Sequence, residues 1–533
     1  MEQERESPVR QLFRDARVFV TGSTGFLGQL LLEKLLRACP DVKTLFLLMR
    51  SKKGKTEAER FAEIFEGELF ECMKKACPDY KNKVKLVAGD CELPQLGLGD
   101  SDRELLCQEV NIVFHVAATV RFDEKLKTAV HINVRSTKHL LELARLMPHL
   151  QSFIHVSSAY ANCPEKHIEE RFYSVPLQCD TAIQMVELFQ EDVLNYVTPK
   201  LLKNWPNTYT FTKAIAENVV REFGKGLPIA VVRPSIVIST AREPFAGWVN
   251  NIYGATGVVV GAGLGILRTM HCNPDLTADI VPADMVINLM IATAWDVATR
   301  HRTDADRLQN TELTQDLPTP EDDISILNYV SSTQNRITWS QYMKYNEVGK
   351  EFPSMRVMWY YCLQLHKHRI VHNLCIVFLH LLPALIVDTA ARLTGKKPIL
   401  LEAYKKIHKF VDVISYFSTQ QWKFTDHNVQ AVWSRMTPLD RELFDFNIVR
   451  LDWQSVFRSS MLGLRTYLAK ESPDNMEAAK KRYRRCSQKV LNNIFVNDFK
   501  LSSVTLMIFI PVVDVHTMWE WAVCVALMPL KFV

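Results

Sequence analysis

The sequence is poor in the features that mark several large protein classes. Glycine (19) and proline (23) are sparse among 533 residues and follow no period, which excludes collagen-like and low-complexity chains. No signature recurs at spacings of about 20–50 residues, so solenoids and propellers are excluded as well. The twelve cysteines include no CxxC and no paired-ligand spacing, so neither a disulfide framework nor a zinc site is expected, and the thiols read as reduced and structural. A charge excess is lacking too. The 64 basic residues outnumber the 59 acidic ones by 5, too few to imply a nucleic-acid partner. The N-terminal MEQERESPVR has mixed charge and no apolar stretch after it, so it reads as a polar segment (1–13) rather than a secretory signal, and the catalytic part is expected in the cytosol.

What is present is a large packed core, with 47% hydrophobic and 10% aromatic residues. Apolar runs at 17–21, 44–49, 84–88, 111–116, 152–157 and 229–232 alternate with helical patterns, which predicts a parallel, doubly wound α/β sheet covered on both faces and complete by about residue 240. This catalytic domain is placed at 14–300. Its Gly-rich segment 247–268 is too irregular for a helix and is expected as a loop that shapes a pocket. The Pro- and Asp-containing stretch 301–323 is expected as a loop within a connecting segment, 301–354. A mainly helical domain follows at 355–495.

Two stretches are candidates for membrane contact. Residues 370–387 run 18 positions without formal charge, the lower limit for a span, but contain His372, Asn373, His380 and Pro383. The tail 501–533 is apolar but broken by Asp514, His516 and Glu520, and its uncharged runs of 13 and 10 residues are too short to cross a bilayer alone. Before it, KKRYRR (480–485) gives a local basic excess suited to lipid headgroups. His366, His368, His372 and His380 lie in the helical region without a matching carboxylate, so they are read as structural and no metal is expected.

Chemistry concentrates at the strand ends. After the first strand, Gly22, Gly25 and Gly28 frame Ser23, Thr24, Phe26 and Leu27. A tight turn and a close approach to pyrophosphate need glycine at the first two positions, close packing of helix on strand needs it at the third, and amides at the helix N-terminus meet the negative charge. The second strand ends in Arg50, followed by Lys52 and Lys53, where a site selective for NAD carries an acid. Arg50 with Lys53 can pair a 2′-phosphate, so the cofactor is expected to be NADPH. Asp90, with Cys91 beside it, follows the third strand and could hold the adenine, and Ala117 and Ala118 could pass the ribose and nicotinamide.

Tyr209 and Lys213 are four apart in a helical pattern and share a face, so the lysine can lower the phenol pKa while binding ribose hydroxyls, and Tyr209 becomes a proton donor to a carbonyl. Tyr196 and Lys200 have the same spacing, but Pro199 between them is expected to disrupt the helix. Upstream, a strand ends in Ser157 and Ser158. Ser158 is the substrate-facing candidate if Ser157 terminates the strand. Asn133 could position a water or backbone for a proton relay.

Together, TGSTGFLG, VSSAY, YTFTK and VVRPS resemble the extended short-chain dehydrogenase/reductases, which have a Rossmann-type sheet. EPFAGWVNNIYGATGVVVGAGLGILR with DIVPADMVIN, and HLLPALIVDTAARLTGKKP, resemble one branch, the fatty acyl-CoA reductases. The resemblance implies NADPH-dependent reduction of long-chain acyl-CoA to a primary alcohol through a bound aldehyde. It assigns Tyr209 and Lys213 as the catalytic pair and Ser158 as the Ser/Thr position, usually threonine, and puts Pro234 of VVRPS beside the cofactor. Leu264 stands where the branch commonly has a basic residue. The resemblance also implies an apolar channel for the acyl chain, formed by the Gly-rich segment and the helical domain. A hydrophobic C-terminal anchor at an endoplasmic reticulum, lipid-droplet or peroxisomal membrane is implied as well. Oligomeric state is left open.

Overall fold

The computed structural model of the chain describes residues 6–51, 54–175, 177–310 and 324–496. Lys53 and the tail expected at 501–533 lie outside the described residues. Two compact units are formed. The first takes Met1–Pro244, Asp279–Asn335 and Trp422–Leu451, and the second takes Phe245–Ala278, Arg336–Gln421 and Asp452–Val533. Where the sequence suggested contiguous segments, both units are discontinuous.

The first unit is built on seven strands: β1 (Arg17–Thr21), β2 (Thr44–Met49), β3 (Val84–Ala88), β4 (Ile112–His115), β5 (Ser152–Val156), β6 (Ile229–Pro234) and β7 (Ser325–Tyr329). They lie in the order β7-β6-β5-β4-β1-β2-β3, every pair parallel. Parallel pairing needs crossovers that cover both faces, and apart from the edge strand β3 the strands are buried along most of their length. Across one face the register aligns Phe46, Phe19, Val113 and Phe153, and this row packs with Leu140, Phe211, Ile215 and Val219 of the crossover helices.

Two expectations fail here. The sheet is not complete at residue 240, because β7 adds to its edge beside β6. Residues from 301 do not begin a loop, because the helix that starts at Ala283 continues to Asn310. The polar composition of 301–310 hid the helix: such residues suit its terminal turns as well as they suit a loop. Trp422–Leu451 returns to this unit, where Trp422 Nε1 donates to the carbonyl of Cys163 at 2.9 Å and Lys423–Phe424 pairs with His167–Ile168.

In the second unit the Gly-rich segment is partly helical, against expectation, over Ala255–Gly263. Its glycine content answers a packing need, since a Cβ on Gly257 would stand 2.8 Å from the ring of Phe410. Leu264 ends this helix and packs with Ile266, Ala384, Leu400 and Tyr404. The histidines are hydrogen-bonded within the unit: His372 Nδ1 with the Thr269 hydroxyl at 3.0 Å, and His380 Nε2 accepting from the Arg268 amide at 3.0 Å. Part of the basic run is also used internally, Arg482 donating to the Val357 carbonyl at 3.1 Å.

Candidate active site at the carboxyl edge of the sheet

The sequence-predicted residues of the first unit come together where β1, β4 and β5 end, beside the point at which strand order reverses. Gly22 has φ +75°, and a Cβ on it would stand 2.6 Å from the Ala117 amide nitrogen. The turn closes through the Gly25 amide, which donates to the Gly22 carbonyl at 2.9 Å. A Cβ on Gly28 would collide with the same carbonyl. Gly25 then caps the helix α1 (Phe26–Ala38) without a side-chain cap hydrogen bond. A backbone cradle that Cβ atoms would fill, at a helix N-terminus, fits the pyrophosphate of a dinucleotide. Ser23 is buried against the Leu48 carbonyl, while Thr24, Phe26 and Leu27 are half-buried along the turn.

Arg50 and Asp90, at the ends of the adjacent strands β2 and β3, are expected to serve opposite ends of an adenosine phosphate, yet they pair with each other at 2.7 Å. Glu92 adds a second carboxylate 3.5 Å from the same guanidinium. The sequence reading missed Arg60, on the helix Glu57–Phe65, whose guanidinium donates to the Arg50 carbonyl. Only the fold brings this second cation to the end of β2. The Cys91 thiol packs in the core, where burial pushes it up to about 12.

Tyr209 and Lys213 stand on the helix α2 (Thr208–Phe223), whose start is fixed by the Asn207 side chain accepting from the Thr210 amide at 2.9 Å. The Tyr209 ring packs on Phe122, centroids 5.7 Å apart, and the Ser158 hydroxyl, which accepts from the Tyr160 amide at 3.2 Å, lies close enough to the phenol to act on it. Desolvation pushes that phenol up to about 12, and the Ser158 hydroxyl only partly offsets it. This differs from the lysine-lowered phenol expected from the sequence. The buried Lys213 ammonium donates instead to the Val156 carbonyl at 2.7 Å, and burial draws it down to about 8, with Glu217 acting in the opposite direction.

Ser157 is committed elsewhere, donating to Glu217 at 2.6 Å. Glu217 also takes the Asn162 amide at 2.9 Å and a bidentate pair from Arg233 at 2.8 and 2.7 Å, all buried. This network holds the strand end that presents Ser158, and the Pro234 carbonyl supports it by accepting from the Ala159 amide at 2.9 Å. The sequence reading missed Glu217 and Arg233. The available signal was a charged residue inside the apolar runs AENVV and IAVVRP.

Asn133 lies in a π-helical turn, His131–Arg135, and bridges loop to helix: its Oδ1 accepts from the Thr119 amide at 3.0 Å and its Nδ2 donates to the Thr212 hydroxyl at 2.9 Å. It thereby ties the loop after Ala117 and Ala118 to the helix that carries Tyr209. The competing pair Tyr196 and Lys200 departs from expectation. The helix Glu191–Leu202 runs through Pro199, and Lys200 lies over the Tyr196 ring at 5.7 Å. The helix accommodates Pro199 in its last turn, and the Tyr196 ring is 76% exposed.

Comparison with known proteins decides what this arrangement belongs to. Two family models, both described as "Male sterility protein", match residues 20–290 (the NAD-binding part) and 379–471 (the Sterile part). Fatty acyl-CoA reductase wat of Drosophila melanogaster is 41% identical over 481 residues, covering 90% of this chain and 89% of its own. The chain belongs to the fatty acyl-CoA reductase family. Fatty acyl-CoA reductase 1 of Rattus norvegicus is 35% identical, covering 89% and 88%, and human fatty acyl-CoA reductase 2 is 34% identical, covering 90% of each chain. Among solved structures, the reductase domain of a nonribosomal peptide synthetase from Mycobacterium tuberculosis superposes with a TM-score of 0.52 at 18% identity, covering 88% of this chain and 97% of that one. That likeness concerns the fold. As a fatty acyl-CoA reductase the chain is an oxidoreductase with a nicotinamide cofactor.

Proposed function

We propose that the chain reduces long-chain fatty acyl-CoA to the primary alcohol with NADPH, releasing CoA and reducing the aldehyde before it departs. The observation that carries the reading is the placement of Tyr209 one helical turn from the buried Lys213, which the Val156 carbonyl at the end of β5 holds at 2.7 Å, with the Ser158 hydroxyl close to the phenol. Gly22, Gly25 and Gly28 with the first amides of α1 would hold the pyrophosphate, and Arg50 with Arg60 the 2′-phosphate. The reduced cofactor supplies a hydride in each of two rounds.

The remaining chemistry falls to the side chains. Ser158 and Tyr209 hydrogen-bond the thioester oxygen, which becomes anionic in the transition state, and preorganised donors count most where charge develops. Collapse of that oxygen back to a carbonyl expels the CoA thiolate. In the second round Tyr209 gives its proton to the alkoxide oxygen, and the phenol is suited to this because it stays protonated at neutral pH. Lys213, held by the Val156 carbonyl, offers its other N–H donors to ribose hydroxyls and balances the charge left on Tyr209. Substrate and product partition into lipid at about 0.8 kcal/mol per methylene, so a membrane-associated enzyme with its catalytic unit in the cytosol goes with this chemistry.

Incubation of the purified chain with palmitoyl-CoA and NADPH should yield hexadecanol and free CoA. Cofactor oxidation without either product would overturn the reading.

A further inference from the structure

The second unit contains a helix of inverted polarity. It runs over Arg369–Leu393, through a π-helical turn at Val377–Leu381. Asn373 and Thr389 are exposed, but the imidazoles and the carboxylate of the helix face the unit's interior, His372, His380 and Asp388 being 3%, 0% and 4% exposed. Each is satisfied there. His372 meets the Thr269 hydroxyl, His380 takes the Arg268 amide and shares a 2.9 Å hydrogen bond with His408, and Asp388 accepts from the amides of Ile399, Leu400 and Leu401 at 3.1, 3.0 and 2.9 Å. Most of its large apolar side chains face out, Leu379 being buried. Ile370, Leu374, Leu385 and Leu393 are 76%, 55%, 50% and 84% exposed, with Val377 and Leu382 between them on the same stripe.

A water-facing helix carries the opposite pattern, so the outer side of this one is made for an apolar medium. Length alone would permit a span, since 25 residues rise about 37 Å against a hydrocarbon core of about 30 Å. The inner face forbids it. Crossing would surround the helix with lipid, and the buried imidazoles and carboxylate are committed to partners in the unit. Lying flat satisfies both faces at once. The ends carry the charge this requires, with Lys367 and Arg369, the latter 3.3 Å from Asp412, at the start and Arg392, Lys396 and Lys397 at the other end, while residues 370–387 have none.

We propose that Arg369–Leu393 is a monotopic membrane-docking helix that sinks its outer stripe into the acyl layer of one leaflet, its cationic ends at the phosphates. The occupant of the stripe is a phospholipid surface, independent of any contribution from the tail.

The test is photolabelling of the full chain on phosphatidylcholine–phosphatidylserine vesicles that contain a phospholipid with a diazirine in its acyl chain, with adducts mapped by mass spectrometry. Adducts are expected at Ile370, Leu374 and Leu385 and not at His372, Ala384 or Asp388. Adducts confined to 501–533, or cross-links from the stripe to the tail or to a second copy in place of lipid, would overturn the proposal. Labelling on both faces of the helix would overturn it too, in favour of a span. In a second measurement, Leu374→Gln/Leu385→Gln alters exposed side chains only. It should keep its Tm and its turnover of a water-soluble short-chain acyl-CoA while vesicle affinity falls about tenfold or more; unchanged affinity contradicts the docking helix. Photolabelling needs no turnover, so its failure is distinct from failure of the reductase reading.

Discussion

The Ser157 hydroxyl donates to Glu217 at 2.6 Å and is held inside the fold, while the hydroxyl of its neighbour Ser158 lies close to the phenol of Tyr209. Two adjacent serines at the end of one strand are thus given different work by the direction in which each points. The pleat of an extended chain sends successive side chains to opposite sides, so only one can face a substrate.

Removing the proton donor should separate chemistry from binding. Tyr209→Phe is expected to lower kcat by about 10²–10⁴-fold while leaving the Kd for NADPH within a factor of two or so, and Ser158→Ala to lower it by about 10²-fold. Ser157→Ala should keep turnover and lose about 1.5–3 kcal/mol of stability, since its hydrogen bond is to a buried carboxylate. Steady-state kinetics with cofactor fluorescence titration and urea unfolding check all three.

The buried pair behind Ser157 makes a sharper stability prediction. Glu217→Gln leaves Arg233 fully buried without its bidentate partner, a loss of about 3–5 kcal/mol. The urea midpoint should fall accordingly, more than for Ser157→Ala, and equal midpoints would remove the pair from the account.

Titration of Lys213 supplies a pH signature. Burial holds its amine at about 8, below its ordinary 10.5, so the ammonium is lost as pH rises through about 8, while the phenol at about 12 remains protonated. The kcat/KM for acyl-CoA reduction should therefore fall on the alkaline side with a midpoint near 8, since this ratio reports the free enzyme. Between about 8 and 10.5 the unfolded chain keeps a proton that the folded chain has released, so this group makes stability rise with pH across that window. Lys213→Met should remove that rise from a plot of Tm against pH.

The proposed choice of NADPH rests on Arg50. Its guanidinium is held by Asp90 at 2.7 Å, and a 2′-phosphate must compete for it. Asp90→Asn should tighten NADPH several-fold, and Arg50→Ala should weaken it about tenfold or more with little effect on NADH. Parallel KM measurements with both cofactors decide this.

Much of the proposed site's arrangement was legible because it is local. The glycines at 22, 25 and 28, and Tyr209 with Lys213, are set by spacings within one turn or one helix, and the apolar strands by unbroken runs. What escaped depends on distant segments. Strand β7 joins the sheet some 90 residues after β6, the Glu217–Arg233 pair forms only when helix and strand pack, and Arg50 meets Asp90 only across the register of β2 and β3. The glycines of 255–263 were read as breaking a helix when they allow it to approach Phe410. Pro199 was read as a breaker too, although near a helix end it removes a single hydrogen bond.

The central claim is that one site carries out both reductions without releasing the aldehyde. Its most direct test is the stoichiometry of the purified full chain given limiting palmitoyl-CoA and excess NADPH, with oxidised cofactor, alcohol and trapped aldehyde quantified together. The account predicts two NADPH oxidised for each hexadecanol and no aldehyde captured by a hydrazine trap. One NADPH per acyl-CoA with hexadecanal as the end product would contradict it.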